Sequence, residues 1–176
     1  MDLNDYLVAN VIGPYSVEVS CTVWTTMYDT AITDRDLFVT SVAELFNAPD
    51  LNCTTDADCE NNVVFSIDNL WDTKYMAYLK AFDRFWSTQL CDGNPEKKTG
   101  IVNESYTVPT SSGGTQVLNQ NVDYGNGVFI PALWEEYVEA IETFMCDLKK
   151  VWAKVNGDTF PRSQFEEFIT VESQLP

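Results

Sequence analysis

Apolar positions recur at helical spacing over two long stretches of this chain and alternate over shorter ones. In "DNLWDTKYMAYLKAFDRFWSTQLC", Trp71, Tyr75, Tyr78, Leu79, Phe82, Trp86 and Leu90 form one stripe, with Asp68 or Asn69 at the cap position and Gly93 just past the end. In "PALWEEYVEAIETFMCDLKKVWAKVNG" the stripe is Trp134, Tyr137, Val138, Ile141, Phe144, Met145, Leu148, Trp152 and Val155. Pro131 opens that second segment, acids fill its early turns, lysines its late ones, and Gly157 follows. Capping, dipole and periodicity therefore all predict a helix. Aromatic stripes at this spacing are packed core far more often than the walls of a cofactor cavity, and no cofactor is expected here.

The shorter segments are less uniform. "TDRDLFVTSVAELFNAP" predicts a third helix, capped by Thr33 or Asp34, with Phe38, Val42, Leu45 and Phe46 on one face before Pro49. Residues 2–12 predict a short helix stopped by Gly13 and Pro14. "YSVEVSCTVW" alternates, with Tyr15, Val17, Val19, Cys21 and Val23 on one side, and its β-branched density predicts a half-buried strand. The rival is a helix carried by Val17, Cys21, Trp24 and Tyr28. "VVFSI" at 63–67 reads as a short strand. Between the long helices, "GIVNESYTV" and "TQVLNQNVDYGNGVFI" flank "PTSSGG", a hairpin over residues 101–123 with a Pro-Ser-Gly loop.

The expected architecture is a single α+β domain over residues 1–176. Two long antiparallel aromatic-faced helices and a shorter helix pack with a small antiparallel sheet made from the N-terminal strand and the hairpin. Residues 92–131 form a polar excursion between the long helices. The alternative is a mostly α helical bundle with a β-hairpin excursion.

Composition narrows the function. The chain has 176 residues, 45% of them apolar and 13% aromatic, which is enough for a real core and incompatible with disorder. Against 10 Lys and Arg stand 27 Asp and Glu, a formal charge of −17. Direct nucleic-acid binding needs clustered cations, and the local basic pairs are only Lys97-Lys98 and Lys149-Lys150. The expected partners are proteins, basic ones among them, or copies of the chain itself. The opening residues lack the positive charge of a secretory signal, and no apolar run reaches the ~20 residues of a membrane span. Cytoplasmic synthesis is therefore the expectation, with a virion component as one destination.

There is no histidine, which removes Ser-His-Asp and Cys-His nucleophile systems, histidine metal sites and the commonest neutral-pH base. A carboxylate pair of the glycosidase kind or a lone activated cysteine remains, but the acid pairs Glu135-Glu136 and Glu166-Glu167 read as solvated helix faces. No catalytic residue is assigned. Five cysteines, an odd number, leave at least one outside any intrachain pair, and without an export signal the default is reduced thiols. Cys53 and Cys59 are close enough to close a small ring and are the candidate disulfide. Around them, "LNCTTDADCENN" spaces Asp56, Asp58 and Glu60 like the first ligands of a calcium loop. Asn61 stands where the turn glycine belongs and Ile67 where the bidentate acid belongs, so a solvated loop is expected and no metal. The triplet at Asn103 matches a glycosylation acceptor, a pattern common by chance.

The candidate contact element is the hairpin loop, Pro109, Thr110, Ser111, Ser112, Gly113 and Gly114, because polar strands and Gly-rich loops suit adaptable hydrogen bonding. The leading expectation is a non-catalytic structural or interaction subunit of a larger assembly such as a virion. The alternative is an acidic inhibitor or nucleic-acid mimic that fills a basic groove, and a carboxylate-based hydrolase stands third.

Overall fold

The computed structural model describes residues 17–46, 57–156 and 160. Helix α1 spans Val17–Leu45. Helix α2 (Ala57–Asn69), a π-helical segment (Leu70–Tyr75) and helix α3 (Met76–Thr88) follow one another without a break. Strands β1 (Ile101–Pro109) and β2 (Thr115–Asp123) pair antiparallel, and helix α4 spans Pro131–Asn156. The architecture is α+β, as the sequence predicts, with a two-stranded sheet.

The two stripes meet as an antiparallel pair. Trp71 and Tyr75 contact Phe144, whereas Phe85 stacks on Tyr137 at 4.8 Å and touches Trp134. Helix α1 lies against α3 in the opposite sense: Trp24 meets Trp86 at 4.5 Å, Tyr28 meets Phe82 and Trp86, and Phe46 at its far end meets Trp152. One hydrophobic cluster runs through the four helices, the π-helical segment and the hairpin.

Four local expectations are corrected. The alternating segment from Val17 to Trp24 is helical, and it continues through Thr33 and Asp34, which are interior positions of α1 rather than caps. The helical rival prevails because Trp24 and Tyr28 reach the aromatic core. The β-branched threonines fit the helix by bonding back to it: Thr25 and Thr26 donate to the Cys21 and Thr22 carbonyls, and Thr33 to that of Asp29. Residues 17–24 therefore add no strand to the sheet. "VVFSI" also lies in a helix, with Val63 and Ile67 buried four residues apart and Phe65 70% exposed. Residues 57–62, read as solvated loop, are the opening of that same helix. Asp68 and Asn69 cap nothing, since the chain runs from α2 through the π-helical segment into α3. Its wider turn places Leu70, Trp71 and Tyr75 in the core together. The helix predicted over residues 2–12 lies outside the described residues.

The end of α3 is held by other elements. The Trp24 indole donates to the Trp86 carbonyl at 2.9 Å, and Lys97 Nζ donates to the carbonyls of Thr88, Leu90 and Gly127 at 2.8, 2.9 and 2.8 Å. Carbonyls that a helix end leaves orphaned are thus paired by an indole and an ammonium. A disulfide joins Cys21 of α1 to Cys91 in the turn after α3, with the Cα atoms 5.6 Å apart. This corrects the expectation of reduced thiols: two residues separated by 70 positions are brought together by the packing of α1 on α3. Among the described residues no helix is long and apolar enough to cross a membrane.

Candidate functional site

The hairpin lies along the continuous helix from α2 to α3 and is fastened by aspartates spaced along it. At the tip, the Ser111 backbone N–H and hydroxyl donate to the two carboxylate oxygens of Asp68 at 2.8 and 3.1 Å. One turn on, Gln116 Nε2 donates to Asp72, and further along the Tyr106 hydroxyl donates to Asp83, each at 2.5 Å. At the base, Arg84 Nε donates to the Asp123 carbonyl at 3.0 Å. Tyr106, Val108, Val122 and Tyr124 are buried beneath the ribbon. The excursion is therefore docked over its whole length, not only at its ends.

The opposite face carries a different chemistry. Asn103, Ser105 and Thr107 on β1 and Val117, Asn119 and Asn121 on β2 are exposed. Cross-strand bonds link them: Asn103 Nδ2 donates to Asn121 Oδ1 at 3.0 Å, and the Ser105 hydroxyl to Asn119 Oδ1 at 2.7 Å. A polar, uncharged ladder thus covers the outside of a ribbon whose inside is core.

Of the six loop residues singled out from sequence, Pro109 and Ser111 are buried, and Thr110 is half-buried with its hydroxyl 2.8 Å from that of Ser112. Ser112, Gly113 and Gly114 face solvent. Gly113 has φ +90, a left-handed conformation that needs glycine. The structure brings the loop to Asp68, which its own sequence did not signal. Cys53, and with it the candidate Cys53–Cys59 pair, lies outside the described residues. Cys146 is exposed and unpaired on α4.

No family model, curated protein or solved structure matches this chain. What the site can do therefore rests on its own geometry.

Beneath the middle and base of the hairpin lies a half-buried polar network. The Asp83 carboxyl is pushed above the usual carboxylate range by burial, which the Tyr106 hydrogen bond and the Arg35 charge offset only in part. Burial and the nearby Asp83 raise the Tyr106 hydroxyl well above its ordinary value, and Tyr28 on α1 is pushed up to about 12, again by burial first. Tyr124, raised by burial and by Asp83, donates to Glu104 at 2.8 Å, and Glu104 also pairs with Lys98 at 2.5 Å. Burial disfavours the Arg35 charge, yet Tyr75, Tyr78, Asp36 and Asp83 outweigh it, and the guanidinium sits 4.4 Å over the Phe82 ring. The cluster joins α1, α3 and the hairpin, and the Tyr106–Asp83 hydrogen bond ties strand β1 to α3.

Its pH dependence has a definite sign. A carboxyl whose pKa is higher in the folded than in the unfolded chain contributes stability at acid pH and loses it as pH rises through the folded value. Asp83→Asn keeps an acceptor for Tyr106 and removes the titration. The variant is expected to gain stability relative to wild type between the ordinary aspartate value of 3.8 and the raised one, measured as urea midpoints across that range. A difference between the two proteins that stays constant with pH would remove Asp83 from this role.

On the β2 side a cleft of about 630 Å³ opens between α3 and α4. Lys74, Lys80 and Arg84 face Glu136, Glu139 and Asp123 across a floor that includes Ala77 and Ala81. Arg84 is bound to Glu136 at 2.5 Å, and Lys74 lies 3.8 Å from Asp147. Among the described residues no group of three acidic or cysteine side chains is placed to hold a metal ion.

Sequence reading missed the anchors Asp68, Asp72 and Asp83. A signal existed, since Asp68 and Asp72 are one helical turn apart beside the aromatic stripe, but without the hairpin's position their partners were invisible.

Proposed function

We propose that this chain is a non-catalytic interaction subunit of a larger assembly, and that the outward face of its hairpin is the contact surface. One observation carries the reading: a ribbon fastened to the helix by Asp68, Asp72 and Asp83 presents an exposed, uncharged polar ladder on the face turned away from the core. A pre-positioned face loses little conformational freedom on docking, which favours binding. The polar side chains give adaptable hydrogen bonds, and the apolar Ile101 and Val117, 72% and 61% exposed, give local desolvation.

The test places charge on β1 alone. Asn103→Lys with Thr107→Lys is expected to leave the far-ultraviolet circular dichroism of the chain unchanged, because both residues point away from the core. The same protein is expected to lose co-sedimentation with the complex isolated from its natural source. Normal incorporation of the folded double variant would place the contact elsewhere and end this reading.

A further inference from the structure

We infer that β2 pairs edge to edge with β2 of a second copy of this chain, giving a four-stranded sheet ordered β1-β2-β2-β1 across a two-fold axis. The inference rests on the hairpin being a contact surface, and it assigns the β2 edge of that surface to a second copy.

The hydrogen-bond parity of the hairpin defines which groups are spare. Thr110 N–H donates to the Gly114 carbonyl and Tyr124 N–H to the Gly100 carbonyl, so positions 110/114 and 100/124 are hydrogen-bonded pairs. Alternation between them makes 107/117, 105/119, 103/121 and 101/123 the non-bonded pairs. Their backbone groups point away from the partner strand. The Asp123 carbonyl confirms this, since it turns outward to Arg84. Among the described residues, the N–H and C=O groups of Val117, Asn119 and Asn121 have no partner.

Natural edges are blunted by proline, lysine, inward charges or bulges. Strand β1 carries Pro109 and Glu104, but β2 has nine residues and no charge or proline before Asp123. It is an open edge of the kind that accepts a further strand.

Charge selects the occupant. Residues 105–122 are the longest run of the chain without Asp, Glu, Lys or Arg, inside a protein of net charge −17. This is where two copies approach with the fewest like charges face to face. With the axis at Asn119, Asn119 faces its own copy and Val117 faces Asn121 of the other. The outward ladder of amides then continues across the interface. The contact is isologous and closes at two copies.

The test uses the full chain. Analytical ultracentrifugation is expected to show a monomer–dimer equilibrium that shifts to dimer as salt rises, because screening weakens repulsion between two acidic chains. Docking on a basic partner would weaken with salt instead. Asn119→Pro removes an N–H that points to the free edge and none that pairs with β1, and Val117→Lys puts a charge on that edge. Each is expected to raise the dimer dissociation constant at least about tenfold, the scale of one lost interface contact. If either variant loses its circular dichroism, amide exchange of the wild type decides, with protection at 117, 119 and 121 expected to fall on dilution. A chain that stays monomeric at every concentration and salt, or a dimer that both variants and dilution leave intact, overturns the inference. Failure here with a positive result for the β1 variant would leave the hairpin a contact surface for another protein.

Discussion

Replacing Trp86 with alanine is expected to destabilise the protein by about 3–5 kcal/mol, the range for removing a fully buried tryptophan. Trp86 is 0% exposed and stands where α1, α3 and α4 meet. Its ring contacts Trp24, Tyr28, Phe82 and Phe85, and its indole N–H donates to the Tyr137 hydroxyl at 3.3 Å. Truncation would leave a large cavity and strip that hydroxyl of a buried partner, so transfer and polar terms act in the same direction. For a chain of this length the drop in melting temperature should be on the order of 10 °C. Trp152, 8% exposed and packed on Phe46 and Phe160, should follow with a smaller loss. A Trp86→Ala protein that melts with the wild type would refute the three-helix junction.

Loss of the Cys21–Cys91 disulfide is the second large effect. The bridge spans 70 positions, and closing so long a loop restricts the unfolded chain enough to stabilise the fold by about 2–4 kcal/mol. Cys91→Ser and treatment with a thiol reductant should each lower the melting temperature to a similar degree. Their effects should not add, because both remove the same bond. Cys146→Ser is the control, since that thiol is exposed and unpaired. Reductant that leaves the wild-type transition in place would show that the bridge contributes nothing under those conditions.

The helices with the strongest periodicity were legible from sequence because local and global demands agree there: the same residues that repeat at helical spacing, such as Tyr78, Phe82, Tyr137 and Phe144, also fill the core. The segment from Val17 to Trp24 was misread for the opposite reason. Its β-branched residues favour a strand locally, and only the contact of Trp24 with the end of α3 decides otherwise. The strands of the hairpin were legible from their polar alternation and loop chemistry, but not what they lie on. Asp68 shows why: an aspartate ahead of an aromatic run looks like a cap, and nothing local says that its carboxylate will hold a serine 43 positions away. The pairing of Cys21 with Cys91 has the same character, since it follows from helix packing and not from spacing.

The π-helical segment over Leu70–Tyr75 separates the aspartate that holds the hairpin tip from the one that holds its middle. An α-helix turns by about 100° per residue, so closing the wide turn by deleting one residue would swing everything upstream by that angle relative to α3. Asp83 would keep Tyr106, and Asp68 would be carried off the line of Ser111. The segment works as a phase adjuster between two latches of one arm. Single-residue insertions and deletions here are steps in a rotational setting, so a lineage could free or lock the arm's tip through the length of the helix beneath it, without altering a residue of the hairpin.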